Sequence, residues 1–214
     1  MVVVAAGSST RFGGDKLLEE VAGLPVVAHA VAAVRAKVDV CILVGRAEQL
    51  DELLRFDLDV EIVPGGPTRT LSEMAGLAAL GDPPALIGIH DGARPLVTPS
   101  LVEQLFETAA EVGGAVPVIP PNTLLLERAT LRPAAGVMTA QTPQVFRGPE
   151  LMAAYVRAAE AGFEGRDTAE VVERFSELEV AAVPGEPANL KVTYRGDLDE
   201  VRRSITASSR NEPL

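Results

Sequence analysis

The chain has 214 residues, with 19 Lys and Arg against 30 Asp and Glu, a formal net charge of −11. Hydrophobic residues make up 47% and aromatics only 4%, with no Trp, which is a globular balance and long enough for a sizeable core. The acidic surplus speaks against a general nucleic-acid binder and the scarcity of rings against a single-strand stacking platform; no apolar run reaches the ~18 residues of a membrane span, and a lone cysteine, Cys41, gives no disulfide framework and points to the cytosol.

Short Val- and Ile-rich runs alternate with helical stripes along the chain. Val2–Ala5 reads as a strand, with no basic region ahead of it to make it a leader. Val27, Ala30, Val31 and Val34 then share a helical face, Val38–Val44 reads as a strand, and Leu50, Leu53 and Leu54 share the next face. Strands follow at Val60–Val63 and Ala85–Ile89. Leu101, Leu105, Phe106, Ala109 and Val112 form the cleanest stripe, opened by Thr98-Pro99, a capping hydroxyl followed by proline at the first turn. After a strand at Ala115–Ile119, the stretch Pro120–Gln141 breaks the rhythm. It carries Leu124, Leu125 and Leu126 but no amphipathic helix, and reads as a hairpin arm that packs on something, with a second subunit as candidate. Helical patterns resume at Pro149–Ala161 and Asp167–Phe175, strands at Val180–Val183 and Asn189–Thr193, and Asp197 with Glu200 resembles a capping box for a last helix. The expectation is one domain over residues 1–207, with an arm at about 120–141 and a polar tail at 208–214. Continuous apolar runs suit strands buried on both faces, so the fold class is α/β, a mostly parallel sheet flanked by helices. Such sheets bind ligands beyond the carboxyl ends of their strands.

The first strand runs into Ala5-Ala6-Gly7-Ser8-Ser9-Thr10-Arg11-Phe12-Gly13-Gly14-Asp15-Lys16. Small residues let backbone N–H groups approach phosphate oxygens, and Arg11 and Lys16 add two cations. The loop lacks the Gly-Lys-Ser/Thr of a P-loop and the G-x-G-x-x-G of a dinucleotide site, and the second strand ends in Gly45-Arg46 where a dinucleotide site wants an acid. A plain flexible surface loop is the alternative reading.

Ala-Ala-Gly-x-x-x-Arg-Phe…Lys resembles the signature loop of sugar-phosphate nucleotidyltransferases. Four further segments, Gly65-Gly66-Pro67-Thr68-Arg69-Thr70-Leu71-Ser72, His90-Asp91-Gly92-Ala93-Arg94-Pro95, Gln141-Thr142-Pro143-Gln144 and Asn189-Leu190-Lys191-Val192-Thr193, stand in the order found in the 2-C-methyl-D-erythritol 4-phosphate cytidylyltransferase family, which the chain resembles from Val4 to about Leu198. The resemblance implies a Rossmann-like nucleotidyltransferase fold with a protruding β-arm that embraces the partner of a homodimer. It also implies a reaction of CTP with a polyol phosphate that releases pyrophosphate, assisted by Mg²⁺ held mainly by the triphosphate, with Asp91 near the metal.

By that resemblance Arg11, Lys16 and Lys191 are catalytic, with Lys191 orienting the incoming phosphate. The backbone of Ala5, Ala6 and Gly7, with Gly66, Ser72 and Asp91, meets the nucleotide, while Asp91, Arg94, Thr123, Arg132, Arg166 and Lys191 serve the polyol phosphate. Bland readings stand beside several of these: a turn cap for Asp91, an internal ion pair for Arg94, an exposed helix serine for Ser72. His90, His29 and Cys41 read as packed residues without a catalytic part. The chain departs from the family pattern at Val4, where proline is usual, at Leu71, where Asp is common, and at Arg166-Asp167-Thr168-Ala169-Glu170, where the family shows T-D-D/E-A-S. Counting eight residues back from Thr142, to where the family has an arm arginine, reaches Ala134, and Arg132 is the nearest candidate for that role, with Arg166 as fallback. The nucleotide half therefore matches better than the polyol half. Competing readings are a cytidylyltransferase for another polyol phosphate, such as ribitol 5-phosphate, and a nucleotide-binding protein without turnover.

Overall fold

A computed structural model of the chain describes residues 1–7, 9–121, 126–127, 130–131 and 136–209. β1 (Val2–Ala5) leads through a long loop and a small hairpin, β2 (Glu20–Val21) and β3 (Leu24–Pro25), into α1 (Val26–Arg35). β4 (Ile42–Gly45), α2 (Leu50–Leu54), β5 (Glu61–Pro64), α3 (Arg69–Ala79) and β6 (Leu86–Asp91) follow. Then come α4 (Pro99–Val112), β7 (Gly113–Ile119), β8 (Leu126–Glu127), β9 (Thr130–Leu131), β10 (Thr139–Ala140) and β11 (Gln144–Arg147). α5 (Gly148–Glu160), α6 (Thr168–Phe175), β12 (Glu179–Pro184) and α7 (Arg195–Ser209) complete the order.

The main sheet runs β10–β7–β11–β6–β1–β4–β5, with β12 on β7. β1 is parallel to both β4 and β6, β5 to β4 and β12 to β7, whereas β11 runs antiparallel between β6 and β7. Strand side chains alternate between faces, and β1 uses both. Val3 joins α1, α2 and α4 in one apolar cluster with Val31, Leu53 and Leu105. Val2 joins α3, α5 and α6 in another with Leu77, Leu151 and Val171. Each such fully buried side chain is worth roughly 1.5–3 kcal/mol. A third cluster ties Phe12 of the first loop and Val21 of the hairpin to Val192, Leu198 and Val201. That cluster matters for function, because it docks the loop and α7 on each other.

The helix starts follow local chemistry. Thr98 Oγ1 accepts the Leu101 N–H at 3.2 Å, with proline at the first turn of α4, and Thr68 does the same for Leu71 at the head of α3. Two sequence expectations need correcting. Asn189–Thr193 is no strand. Its backbone groups go elsewhere: the Val192 N–H to Ala93 O (2.8 Å) and the Thr193 N–H to Asp197 Oδ2 (2.7 Å). Asp197 is also not the residue that begins a capping box. It is the third residue of α7 and reaches back to the Thr193 and Tyr194 N–H groups, while Glu200 pairs with Arg203. In the arm, β8 and β9 pair antiparallel, Leu126 opposite Leu131; Leu124, Leu125, Thr123 and Arg132 lie outside the described residues.

Candidate active site

β1 is flanked by β4 on one side and β6 on the other, so the chain leaves it in two directions and a crevice opens beyond its carboxyl end. A cleft of about 300 Å³ occupies that crevice, walled by Ala5, Ala6 and Gly7 after β1, Gly66 to Arg69 and Ser72 after β5, Asp91 at the end of β6, and Lys16 and Lys191. A smaller one of about 220 Å³ adjoins it, lined by Arg11, Phe12 and Thr193 and sharing Gly7, Lys16 and Lys191. The backbone fits closely here. A Cβ on Gly65 would lie 2.6 Å from Ala6 Cβ, and one on Gly66 2.5 Å from Leu71 Cβ. Ser72 is buried rather than exposed, and its hydroxyl lies 2.8 Å from Thr68 O and 3.1 Å from Gly66 O. It therefore shapes the Gly66–Thr68 wall from behind.

Asp91 is the electrostatic centre. Its Oδ1 accepts from Arg69 Nη1 at 2.7 Å, its Oδ2 lies 2.8 Å from Lys191 Nζ and 3.6 Å from Arg94 Nε. Burial weighs against its charge, but Arg69, Lys191 and Arg94 hold the carboxyl well below the usual carboxylate range. The Asp91 N–H donates to Thr142 Oγ1 at 2.9 Å. That hydroxyl lies 3.1 Å from His90 Nδ1, and His90 Nε2 lies 3.1 Å from Arg94 O. A carbonyl can only accept, so the Nε2 carries the proton and Nδ1 accepts from Thr142. Burial lowers the pKa of His90 to about 4, consistent with a neutral, packed ring. Arg94 Nη1 donates to Asn189 O at 2.7 Å, and Asn189 Nδ2 to Thr142 O at 2.9 Å. One buried polar web thus gathers three segments far apart in sequence, those around Asp91, Thr142 and Asn189, and delivers Lys191 to the cleft.

Lys16 Nζ donates to Val192 O at 2.6 Å. Burial, and then the neighbouring Lys191 ammonium, lowers its pKa to about 8. Two cations that repel each other across a cleft are a receptacle for an anion. The loop that carries Lys16 is fastened at both ends. Phe12 is buried in the third cluster with the Arg195 guanidinium 5.1 Å above its ring, and Asp15 pairs with Arg46 at the end of β4. Arg46 thus faces an acid of the loop.

Of the residues singled out in the sequence, Ala5, Ala6, Gly7, Gly66, Ser72, Asp91, Lys16 and Lys191 meet at the main cleft and Arg11 at its neighbour. Arg94 lines neither; its guanidinium is taken up by Asn189 and Asp91. Arg166 is 89% exposed and paired with Glu170, although the adjacent Gly165 N–H and the Thr168 hydroxyl bond to Thr70 and Glu73 of α3. Arg69 also walls the cleft, though the sequence gives it no role, and behind it stands buried Glu73; both lie in or next to the Gly65–Ser72 motif, but only their partners give them meaning. Among the described residues, Asp91 is the single carboxylate on the cleft wall, and both its oxygens hold cations. Among the same residues there is no cluster of three metal-ligating side chains. The residues present therefore do not fit a magnesium ion held by the protein itself.

The fold of this chain is shared with solved proteins. The crystal structure of 2-C-methyl-D-erythritol 4-phosphate cytidylyltransferase from Thermus thermophilus superposes with a TM-score of 0.83 at 27% identity, over 96% of this chain and 98% of that one. The enzyme of the same name from Bacillus licheniformis is 36% identical over 99% of this chain and 97% of its own length. That from Cereibacter sphaeroides strain KD131 is 39% identical over 97% of each. The family model described as 2-C-methyl-D-erythritol 4-phosphate cytidylyltransferase matches residues 1–206. With fold and near full-length sequence in agreement, this chain belongs to the 2-C-methyl-D-erythritol 4-phosphate cytidylyltransferase family.

Proposed function

We propose that the chain joins CTP to 2-C-methyl-D-erythritol 4-phosphate, giving 4-diphosphocytidyl-2-C-methyl-D-erythritol and pyrophosphate. The observation that carries this reading is the pair Lys16 and Lys191 beyond the carboxyl ends of β1 and β6, walling both clefts, with Arg11 on the smaller. An oxygen of the acceptor phosphate attacks the α-phosphorus of CTP; the new P–O bond forms as the bond to the β-phosphate oxygen breaks, and pyrophosphate leaves. A phosphate monoester has its second pKa near about 6, so it arrives ionised and needs no general base. The neutral, enclosed His90 is in keeping with that. What the site must supply is position and positive charge. Lys16 and Arg11 offset the charge of the triphosphate, and Lys191, held by Asp91, meets the acceptor phosphate. The Ala5–Gly7 backbone and the Gly66 wall take the cytosine edge, where rigid donors and acceptors discriminate.

Magnesium belongs to this reading as part of the substrate, bound to the triphosphate, since the described cleft wall offers it no free carboxylate. The arm supplies a guanidinium to the acceptor, Arg132 on the sequence count, and makes a homodimer. Among the described residues no helix is long and apolar enough to cross a membrane; with the lone cysteine this supports a cytosolic enzyme.

The test is pyrophosphate release from CTP with a panel of polyol phosphates. The expected result is one pyrophosphate per methylerythritol 4-phosphate consumed, and a Lys16→Ala protein slower by about 10²–10³. Turnover of ribitol 5-phosphate alone would replace the acceptor, CTP binding without turnover of any acceptor would leave a binding protein, and a well-folded Lys16→Ala protein of normal rate would sink the assignment of that lysine.

A further inference from the structure

A buried carboxylate stands behind the site with no part in the reaction as written. Glu73, in the second turn of α3, is 1% exposed. The groups that meet its carboxylate are donors and cations. Tyr155 of α5 donates to Oε2 at 2.6 Å, the Thr168 hydroxyl at the head of α6 to Oε1 at 3.2 Å, and Arg69 Nε lies 2.9 Å from Oε1. Tyr155 is itself buried. Burial pushes the Glu73 carboxyl up, and the Arg69 guanidinium, the Tyr155 hydroxyl and the Thr168 hydroxyl oppose that shift and hold its charge; a buried charge is costly unless it is paired and hydrogen-bonded, and here the partners are in place.

Its geometry says what. Arg69 has two working edges. Nε pairs with Glu73 Oε1 through charge alone, off the line of a hydrogen bond, while Nη1 donates to Asp91 Oδ1 at 2.7 Å, which leaves Asp91 Oδ2 for Lys191 at 2.8 Å. The row Glu73–Arg69–Asp91–Lys191 alternates in charge from the interior to the cleft, with the neutral Tyr155 hydroxyl behind it. We propose that Glu73 is a positioning residue for cytidylyl transfer: by clamping and neutralising Arg69 from behind, it fixes the Asp91 carboxylate between Arg69 and Lys191 and so places the Lys191 ammonium. The inference rests on the reaction proposed above. Without the Glu73 charge, Asp91 alone would have to balance Arg69, and its hold on Lys191 would slacken. The cleft would meanwhile gain one uncompensated positive charge, which favours a bound triphosphate.

That combination gives a kinetic signature that loosened packing does not. The experiment compares wild type, Glu73→Gln and Tyr155→Phe for pyrophosphate release with CTP and methylerythritol 4-phosphate, for CTP affinity by calorimetry without acceptor, and for thermal unfolding. The expected result for Glu73→Gln is a kcat lower by about tenfold, as a small misplacement of a reacting group costs, with KM and Kd for CTP unchanged or lower. Tyr155→Phe, which keeps the ring and removes one donor from the clamp, should lose about threefold in kcat in the same pattern. A kcat at the wild-type level in both variants overturns the proposal. So does a loss of kcat matched by weaker CTP binding and a broadened unfolding transition, which would make Glu73 a packing residue. If Glu73→Gln does not fold, Tyr155→Phe decides alone by the same criteria. A wild-type protein that releases no pyrophosphate with any acceptor overturns the reaction and this inference together, whereas normal variants beside an active wild type overturn only the inference.

Discussion

Lys16 shows how one residue sets a pH limit. Its pKa of about 8 lies below the 10.5 of a free lysine, through burial first and Lys191 next. In the free enzyme the ammonium is lost as pH rises through that value, so kcat/KM for CTP should fall above about pH 8. A bound triphosphate favours the ammonium, so the corresponding limb in kcat should lie higher. Lys16→Arg should carry the kcat/KM limb upward, and a limb that stays in place in that variant assigns it to another group. The stability sign is opposite. Between about 8 and 10.5 the unfolded chain holds this proton and the folded one does not, so Lys16 contributes more to stability as pH rises through that window. Loss of activity on that limb should therefore come without loss of this residue's share of the melting temperature. Arg166 makes a second test. Exposed and paired with Glu170, it should be silent on replacement by Ala, within about twofold in kcat/KM for either substrate, while Arg132→Ala raises the acceptor KM. The reverse outcome would move the acceptor's guanidinium from the arm to the 166–170 segment. The lysines could be named from their motifs, because each sits in a local pattern. Glu73 could not, because its partner Tyr155 is 82 residues away.

At the scale of elements, α7 is a support for the site. Its Asp197 gathers the Thr193 and Tyr194 N–H groups at 2.7 and 2.8 Å, just beyond Lys191. Asp197→Ala should cost about 1 kcal/mol, as the loss of a helix-end acceptor usually does, and lower kcat as well, because the freed backbone carries Lys191. Asp197→Asn keeps an acceptor oxygen and should recover most of both. Thermal unfolding with steady-state rates reads this directly, and a variant that melts early but turns over normally would separate α7 from the site. β1 coincides with its predicted run, and α4 with its stripe and Thr98 cap, since both announce themselves by periodicity and turn chemistry. β11 did not. Its Gln144-Val145-Phe146-Arg147 run is short and mixed, and it becomes a central strand only because β6 and β7 are there to take its hydrogen bonds. α3 is harder to read for a related reason: Thr70, Ser72 and Glu73 are polar and buried, so polar residues interrupt the face that also carries Met74 and Leu77.

At the scale of the molecule, a chain of net charge −11 collects Arg11, Lys16, Arg69 and Lys191 around two adjoining clefts. The global charge keeps nonspecific polyanions away, and the local charge selects an anion small enough to enter. The dimer proposed through the arm belongs to this scale. Sedimentation at micromolar concentration should return twice the mass of one chain, and a chain with residues 124–126 changed to Ser should sediment as a monomer with reduced acceptor turnover. A fully active monomeric wild type would remove the arm from both roles.

The residues alone settled the α/β class, the first strand, the loop with Arg11 and Lys16, and the order of the five motifs, because strand burial, helix periodicity and phosphate-binding loops are all written in near neighbours. They could not say that His90 is closed off by Thr142 and Arg94, that Arg94 is engaged by Asn189, or that Asp91 is held between Arg69 and Lys191. Those are properties of pairs that are mostly separated by tens of residues. Whether a charged side chain is solvated, paired or aimed at a ligand depends on which groups the sheet brings within a few ångströms of it and on how much water it excludes, and only the assembled fold fixes both.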